Sequence, residues 1–427
     1  MTIAKLAEKT SKSGALLDSQ QNAGEKGTSS GPTPARGTTQ TGVRLYNERL
    51  VLSLIRQYEA VPKAELARLT GLSAQTVSVI VRLLENEKLL LKGKPMRGKV
   101  GQPLTPFRLN PDGAFSIGLK VGRRSVELML LDLTGQVRHK IYQPYRFPTP
   151  QEILSFVEKS LAQLLSGLSD IQRERVAGLG IAAPFELWNW EEATGAPRDV
   201  MEAWRGFDLA AHISTLGHWP VHYYNDATAA CAAELLFGNG RAHRNYVYFY
   251  AGYFMGGGIV INGHIFQGQS GYAGALGPLP IYVEGQKPQQ LIHHASLYVL
   301  ENQLQAAGLD HMLLANSPDD WTGIETQLDA WLDHTAKSLA YAAAASMSVI
   351  DFNAVIIDGA MPTYVRADLV LRTRLALQAL DLRGLPVFTI EEGCIGLNAR
   401  AMGAASLPLF ANFMIDRDVL FKENVHA

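Results

Sequence analysis

Four consecutive turn formers, Asn110, Pro111, Asp112 and Gly113, cut the chain into two stretches with different hydrophobic patterns, so no single periodic architecture runs through all of it. Ahead of the break the pattern reads as three short helices and a strand pair; behind it strand-like and helix-like segments alternate. Charge divides at the same place. Arg44 to Asn110 holds 12 Lys and Arg against 5 Asp and Glu, a net of +7, and the remainder of a chain with formal net charge -1 therefore carries -8. A small basic module is joined to an acidic body, and 427 residues are enough to give each its own core.

In the basic part, Val51, Leu54, Ile55 and Tyr58 fall at helical spacing and Pro62 marks the next helix start. A second helix is expected from about Lys63 to Leu69, ended by Gly71. Ser73 then caps a third helix with Val77, Ile80, Val81 and Leu84 on one apolar stripe. Strands Leu89 to Leu91 and Pro106 to Leu109 follow, joined by a glycine-rich loop bearing Lys92, Lys94, Arg97 and Lys99. A helix-turn-helix places the start of its second helix in the major groove, which suits Ser73, Ala74, Gln75, Thr76, Ser78 and Arg82; Gln75 suits adenine, and Arg82 guanine or phosphate. An ordinary helical hairpin has the same apolar pattern, but it has no need of four positive charges on the following loop, which double-stranded DNA does explain.

Residues 1–42, rich in Gly, Ser, Thr, Gln and Pro beyond Ser11, read as a disordered tail without the apolar core of a signal peptide. Cys231 and Cys394 are the two cysteines, too few for a disulfide framework or a C-x-x-C zinc half-site, which suits a reducing compartment. The longest uncharged stretch, Asn245 to Val283, is broken by Gly252 and Gly256 to Gly258 and contains no run of the ~20 apolar residues that a membrane helix needs. It reads as strands and glycine loops. After the break, strands are expected at Ala114 to Val121, Ser125 to Asp132, Val176 to Ile181, Val221 to Tyr224, Tyr246 to Tyr250, Ile259 to Ile261 and Ala354 to Ile357. Helices are expected at Gln151 to Leu168, Ala227 to Phe237 and Thr335 to Ser348. That alternation is an α/β body.

Several segments in order resemble the ROK family of bacterial repressors and sugar kinases. Gly71 to Ser78 looks like the recognition segment of its repressor branch, and Arg97-Gly98-Lys99-Val100-Gly101-Gln102-Pro103 like the wing. Gly178 to Pro184, the Asn225-Asp226-Ala227-Thr228 segment, Gly256 to Gly263 and Val355 to Gly359 are similar to the family's strand-to-pocket turn, sugar-contacting Asn-Asp motif, glycine-rich nucleotide segment and late glycine turn. The resemblance implies a winged helix-turn-helix at 43–110 and a two-lobed, actin-like ATPase-type domain at 113–408. Its lobes would span roughly 113–224 and 225–395, with a C-terminal helix 396–408 returning to the first lobe and an extension at 409–427. The ligand residues it implies are Asn225, Asp226, Gly256 and Gly257.

The departures from the family pattern bear on activity. Its kinases open the first lobe with Asp-x-Gly-Gly-Thr, whose small residues let amides approach ATP phosphates; here stand Lys120, Val121, Gly122, Arg123 and Arg124. The second phosphate loop, Gly-Thr-Gly, aligns with Gly252, Tyr253 and Phe254. The Ala-Gly-Glu-x-Gly-His sugar segment has become Ala273, Gly274, Ala275, Leu276, Gly277, Pro278, and Leu279 to Leu291 lacks the family's zinc cysteines. The expectation is a cytoplasmic, ligand-responsive regulator, a repressor of carbohydrate uptake or breakdown genes. It would have no catalytic residues, cofactor or metal, no membrane association, and a homodimer or higher oligomer to read paired half-sites. The alternatives are a sugar kinase with an attached DNA-binding module, in which Asp226 would be the base, and a DNA-binding scaffold whose body binds only protein. Asn225 or Asp226 would in any case cap the helix that follows. Adjacent His293 and His294 read as surface histidines, and Trp188, Trp190 and Trp204 as core, interface or sugar-stacking residues.

Overall fold

The computed structural model describes residues 38–95, 104–185, 187–190, 196–281 and 287–415. Residues 1–37 of the expected disordered tail, most of the wing with Arg97 and Lys99, and the end of the C-terminal extension lie outside them; residues 40–42, expected in the tail, instead begin the first helix. Among the described residues no helix is long and apolar enough to cross a membrane.

The N-terminal part is three helices, α1 (Gln40–Tyr58), α2 (Lys63–Thr70) and α3 (Ala74–Asn86), against a sheet of β1 (Val61–Pro62), β2 (Leu90–Lys92) and β3 (Pro106–Leu109) in the order β1-β3-β2. Gly71 ends α2 at a φ of 71°, a left-handed conformation that glycine adopts without steric cost, and donates to the Ala67 carbonyl. Ser73 Oγ accepts the Thr76 amide at 3.1 Å and so starts α3. Val77, Ile80, Val81 and Leu84 are buried on the inner face of α3. In α1 the buried stripe is Val51, Leu52 and Ile55; Tyr58, the last residue of the helix, is half exposed.

The body holds two five-stranded sheets of the same topology. The first runs β6-β5-β4-β7-β8, from β4 (Phe115–Val121), β5 (Ser125–Asp132), β6 (Val137–Pro144), β7 (Val176–Ala182) and β8 (Val221–Tyr224). The second runs β11-β10-β9-β14-β15, from β9 (Tyr246–Ala251), β10 (Met255–Ile261), β11 (His264–Ile265), β14 (Ala354–Gly359) and β15 (Thr389–Glu392), with a small pair β12 (Pro280–Ile281) and β13 (Gln289–Gln290) beside it. In both sheets two antiparallel pairings are followed by two parallel ones. The parallel crossovers are helical, with α4 (Pro150–Ser166) leading to β7 and α7 (Glu325–Val349) to β14. The glycine run Gly256 to Gly258, read from sequence as part of a loop, lies within β10 and pairs with β9.

The other long helices are α5 (Asp226–Phe237), α6 (Leu297–Ala306), α8 (Thr363–Gln378) and α9 (Ala399–Phe413). Helices α5 and α9 lie between the sheets and against each other. The contact is close because small residues line it: a Cβ added at Gly403 would fall 1.9 Å from the Ala229 carbonyl oxygen, and one at Gly180 of β7 1.9 Å from that of Ala404. Outside this pair, α4 covers the first sheet through Ile153, Val157 and Leu161, and α7 the second through Leu332, Ala336 and Leu339.

The N-terminal module is not tethered by a free linker. Val51, Ile55, Ile80 and Leu84 share one hydrophobic cluster with Leu133, Leu236, Leu409 and Phe413 of the body. Around it, Arg49 donates to the Ala411 carbonyl at 2.8 Å, Arg56 to that of Leu133 and Arg175 to those of Glu87 and Gly113. Burial pulls the Arg56 guanidinium down to about 10 and Asp132 opposes it, so the group stays charged at neutral pH.

Candidate functional site

On α3 the sequence-predicted DNA residues divide by what they touch. Ala74, Gln75, Ser78 and Arg82 are exposed on the face opposite Val77, Val81 and Leu84. Ser73 and Thr76 instead bond each other, Oγ to Oγ1 at 2.8 Å, within the cap. Lys92 and Lys94, at the base of the wing, are exposed; Arg97 and Lys99 lie outside the described residues.

The cleft between the lobes is built where β8 meets α5. Asn225 is the N-cap, its Oδ1 accepting the Ala227 amide at 3.0 Å, and this frees Asp226 for another partner. That partner is Arg400, at the start of α9, whose Nη1 lies 3.2 Å from Asp226 Oδ2. Arg400 also lies 5.5 Å from the centroid of the Tyr250 ring. Burial would lower its guanidinium, but Tyr250 and Asp226 outweigh this and hold it above the ordinary arginine value. Sequence reading missed Arg400, because a helix dominated by Ala, Gly and Leu reads as packing; its one long cation among small residues was the available signal.

Gly256 and Gly257 lie in β10 rather than on a loop. A Cβ at Gly256 would meet that of Ala227 at 2.6 Å, and one at Gly257 the Tyr248 carbonyl at 2.2 Å and Leu276 at 2.5 Å. Both glycines therefore have a packing reason to lack a side chain.

Both segments aligned with phosphate loops are filled by protein groups. Lys120 is buried and donates to Glu127 at 2.8 Å and Ser125 at 2.9 Å, with Lys140 3.0 Å from the other Glu127 oxygen. Burial pulls the Lys120 ammonium down to about 8. Burial alone would raise Glu127, but Lys120 and then Lys140 overcome it and hold the carboxyl at about 2, so the pair is ionised at neutral pH. Beyond it, the Arg123 guanidinium carbon sits 3.5 Å from the centroid of the Tyr253 ring, so the turn of one lobe meets the turn of the other.

Aromatic rings from both lobes also meet away from this contact. Phe185 stacks on Tyr223 at 6.0 Å and meets Tyr272 at 5.0 Å, while Gln267 bonds the Tyr224 hydroxyl. Trp204 is core, its indole donating to the Pro148 carbonyl at 3.0 Å, and Trp188 lies 5.5 Å from the Arg205 guanidinium; the Trp190 side chain is outside the described residues. His294 is a correction to the sequence reading. It is buried, and its Nδ1 lies 2.7 Å from His334 Nε2, because α7 brings a second imidazole against it. Among the described residues no group of three or more His, Cys, Asp or Glu is arranged to hold a metal ion.

Comparison with known proteins agrees with this architecture. The ROK family model matches residues 116–289. The xylose repressor of Bacillus subtilis (strain 168) is 26% identical over 248 residues, 58% of this chain, and the chain spans 64% of that repressor's length. The crystal structure of a ROK family transcriptional regulator, a homolog of the E. coli MLC protein, superposes with a TM-score of 0.63 at 19% identity, covering 88% of this chain and 99% of that one. A ROK family glucokinase from Streptomyces griseus, in complex with glucose and AMPPNP, does so with a TM-score of 0.53 at 20% identity, over 69% of this chain and 99% of that one. At these identities the structural likeness is one of fold. Residues 116–289 thus match the ROK family model, and they lie inside a body with the fold of ROK structures.

Proposed function

We propose that this chain is a sugar-responsive, DNA-binding transcription regulator, a repressor of carbohydrate uptake or breakdown genes acting in the cytoplasm as a homodimer or higher oligomer. The observation that carries this reading is α3: a capped helix whose outer face offers Gln75, Ser78 and Arg82 while its inner face is locked into a core shared with the body. Such a helix can enter a major groove without rearrangement, and two copies related by a two-fold axis would read paired half-sites. The Bacillus relatives named xylose repressors support the same reading.

In this reading Asn225 and Asp226 hydrogen-bond a ligand in the cleft, and the body does not transfer phosphate. The Lys120–Glu127 pair supports the second point, since two buried, paired side chains flank the turn whose amides would have to cradle phosphates. Asp226 Oδ2 is also engaged with Arg400 and so is not free to face a sugar hydroxyl.

The test is two assays on the full-length chain. Operator fragments from its own upstream region should be bound tightly, with a panel of sugars releasing or strengthening that binding, and an ATP-dependent phosphorylation assay on the same sugars should show no turnover. Robust turnover abolished by Asp226→Asn would establish the kinase instead. Operator binding with no response to any small molecule would favour a body that binds only protein.

A further inference from the structure

In this chain the two turns that align with phosphate loops meet each other. Arg123 projects from the β4–β5 turn of the first lobe, and its guanidinium carbon lies over the Tyr253 ring of the β9–β10 turn, 3.5 Å from the centroid. Its Nη1 is 3.6 Å from Glu301 Oε2 on α6 of the second lobe, and the Arg123 side chain is only 8% exposed. Phe254 and Tyr298 pack on Tyr253 at 4.9 and 5.9 Å.

Both supports are fixed. On the first lobe the Tyr145 hydroxyl donates to the carbonyls of Gly122 and Ser125, pinning the turn that carries Arg123. On the second, the amides of Leu297 and Tyr298 donate to the carbonyls of Gly252 and Tyr253, so the turn is tied to the start of α6. A cation stacked on an aromatic face and paired with a carboxylate gains strength when desolvated. The second aromatic contact between the lobes differs in kind: Phe185 meets Tyr272, which is 49% exposed. One contact is thus buried and charged, and the other is made by exposed rings.

We propose that Arg123, Tyr253 and Glu301 form an inter-lobe clasp that replaces the nucleotide site and serves as the pivot about which the lobes part at the Phe185–Tyr272 end. This goes beyond the proposed function, since the clasp would operate whether the ligand is a sugar or another small molecule. Ligand would enter at the Phe185–Tyr272 mouth, and nucleotide would neither bind at the clasp nor move it.

The test is an inter-lobe distance measured by double electron–electron resonance on the full chain. Spin labels at Glu158→Cys and Lys337→Cys, exposed on α4 and α7, are placed in a Cys394→Ser background; the remaining Cys231 is buried. The otherwise unchanged chain should give one narrow distribution, unaltered by AMPPNP with magnesium. Arg123→Met and Tyr253→Leu should each broaden it toward longer distances, whereas Tyr253→Phe, which keeps the ring, should leave it as it was. Superimposable distributions for Tyr253→Leu and the parent would overturn the clasp, as would Tyr253→Phe broadening as much as Tyr253→Leu. A shift on adding nucleotide would overturn it too. If Arg123→Met fails to fold, the Tyr253 pair carries the same decision.

Discussion

Arg49, on the first helix of the N-terminal module, donates a 2.8 Å hydrogen bond to the carbonyl of Ala411 near the end of the last helix of the body, 362 positions away in sequence. It also reaches the Met414 carbonyl at 3.4 Å, and both acceptors lie at a helix C-terminus, where a cation is favoured. Arg49→Met keeps the buried stem and removes the charge-assisted bonds. The expected cost is about 1.5–3 kcal/mol of stability, seen in chemical denaturation of the full chain. Unchanged stability would mean that the apolar cluster alone seats the module.

Asp226 and Arg400 lock the head of α5 to that of α9. Arg400→Met should leave a carboxylate that is mostly buried without its partner, destabilising by roughly 1–3 kcal/mol after allowance for its residual exposure. Asp226→Asn in the same chain should restore part of that loss, because no unpaired charge then remains. Strictly additive effects in this double-mutant cycle would show that the pair is not coupled.

Under the proposed function, the reading of DNA would separate into base and backbone contacts. Gln75→Ala should cost ~1–3 kcal/mol on operator and little on random DNA. Replacing Arg97 and Lys99 together with Ala should weaken both, and flatten the slope of log affinity against log salt by about 0.9 per lost phosphate contact. An unchanged slope in the wing variant, with Gln75→Ala equally harmful on both DNAs, would reverse the assignment.

His222 gives a pH signature. Burial pushes its imidazole from the ordinary 6.5 down to about 4, so between those values the unfolded chain binds a proton that the folded chain does not. Its contribution is fully present above pH 6.5 and is lost as pH falls through about 4, on the order of 2–3 kcal/mol in all. Glu234 works in the opposite direction: burial raises its carboxyl to about 6, and folding gains as pH falls from there toward 4.5. The difference between His222→Phe and the unchanged chain isolates the histidine. Its denaturation midpoint should fall less between pH 6.5 and 4.5, and parallel pH profiles would refute the assignment.

Much of the fold was readable where one physical signal dominated. The apolar stripe Val77, Ile80, Val81, Leu84 with Ser73 before it gave α3, and the apolar runs 115–121 and 125–132 gave the paired strands that start the first sheet. Strand β6 was missed because Val137 to Pro144 is exposed along nearly its whole length and carries Arg138, His139 and Lys140; its pairing to β5 comes from the backbone, not from an apolar face. Helix α8 was missed because Arg366, Asp368, Arg372 and Arg374 interrupt its apolar pattern. Several of these bond partners beyond the helix, Arg372 reaching Asp329 and Asp333 on α7. In the cleft, Asp226 was legible from its place between a strand and a helix. Arg400 was not, since nothing local says that a residue 174 positions later returns to it.

The shared core of Leu133, Leu409 and Phe413 with Val51, Ile55 and Leu84 bears on how such regulators can be rebuilt. A chimera that exchanged the whole N-terminal module would bring a foreign surface to a seat shaped for Arg49 and Arg56 and would leave those carbonyls without donors. Under the proposed function, operator preference would be better transplanted as single residues on the outer face of α3, at Gln75, Ser78 and Arg82, where no body side chain has to be matched.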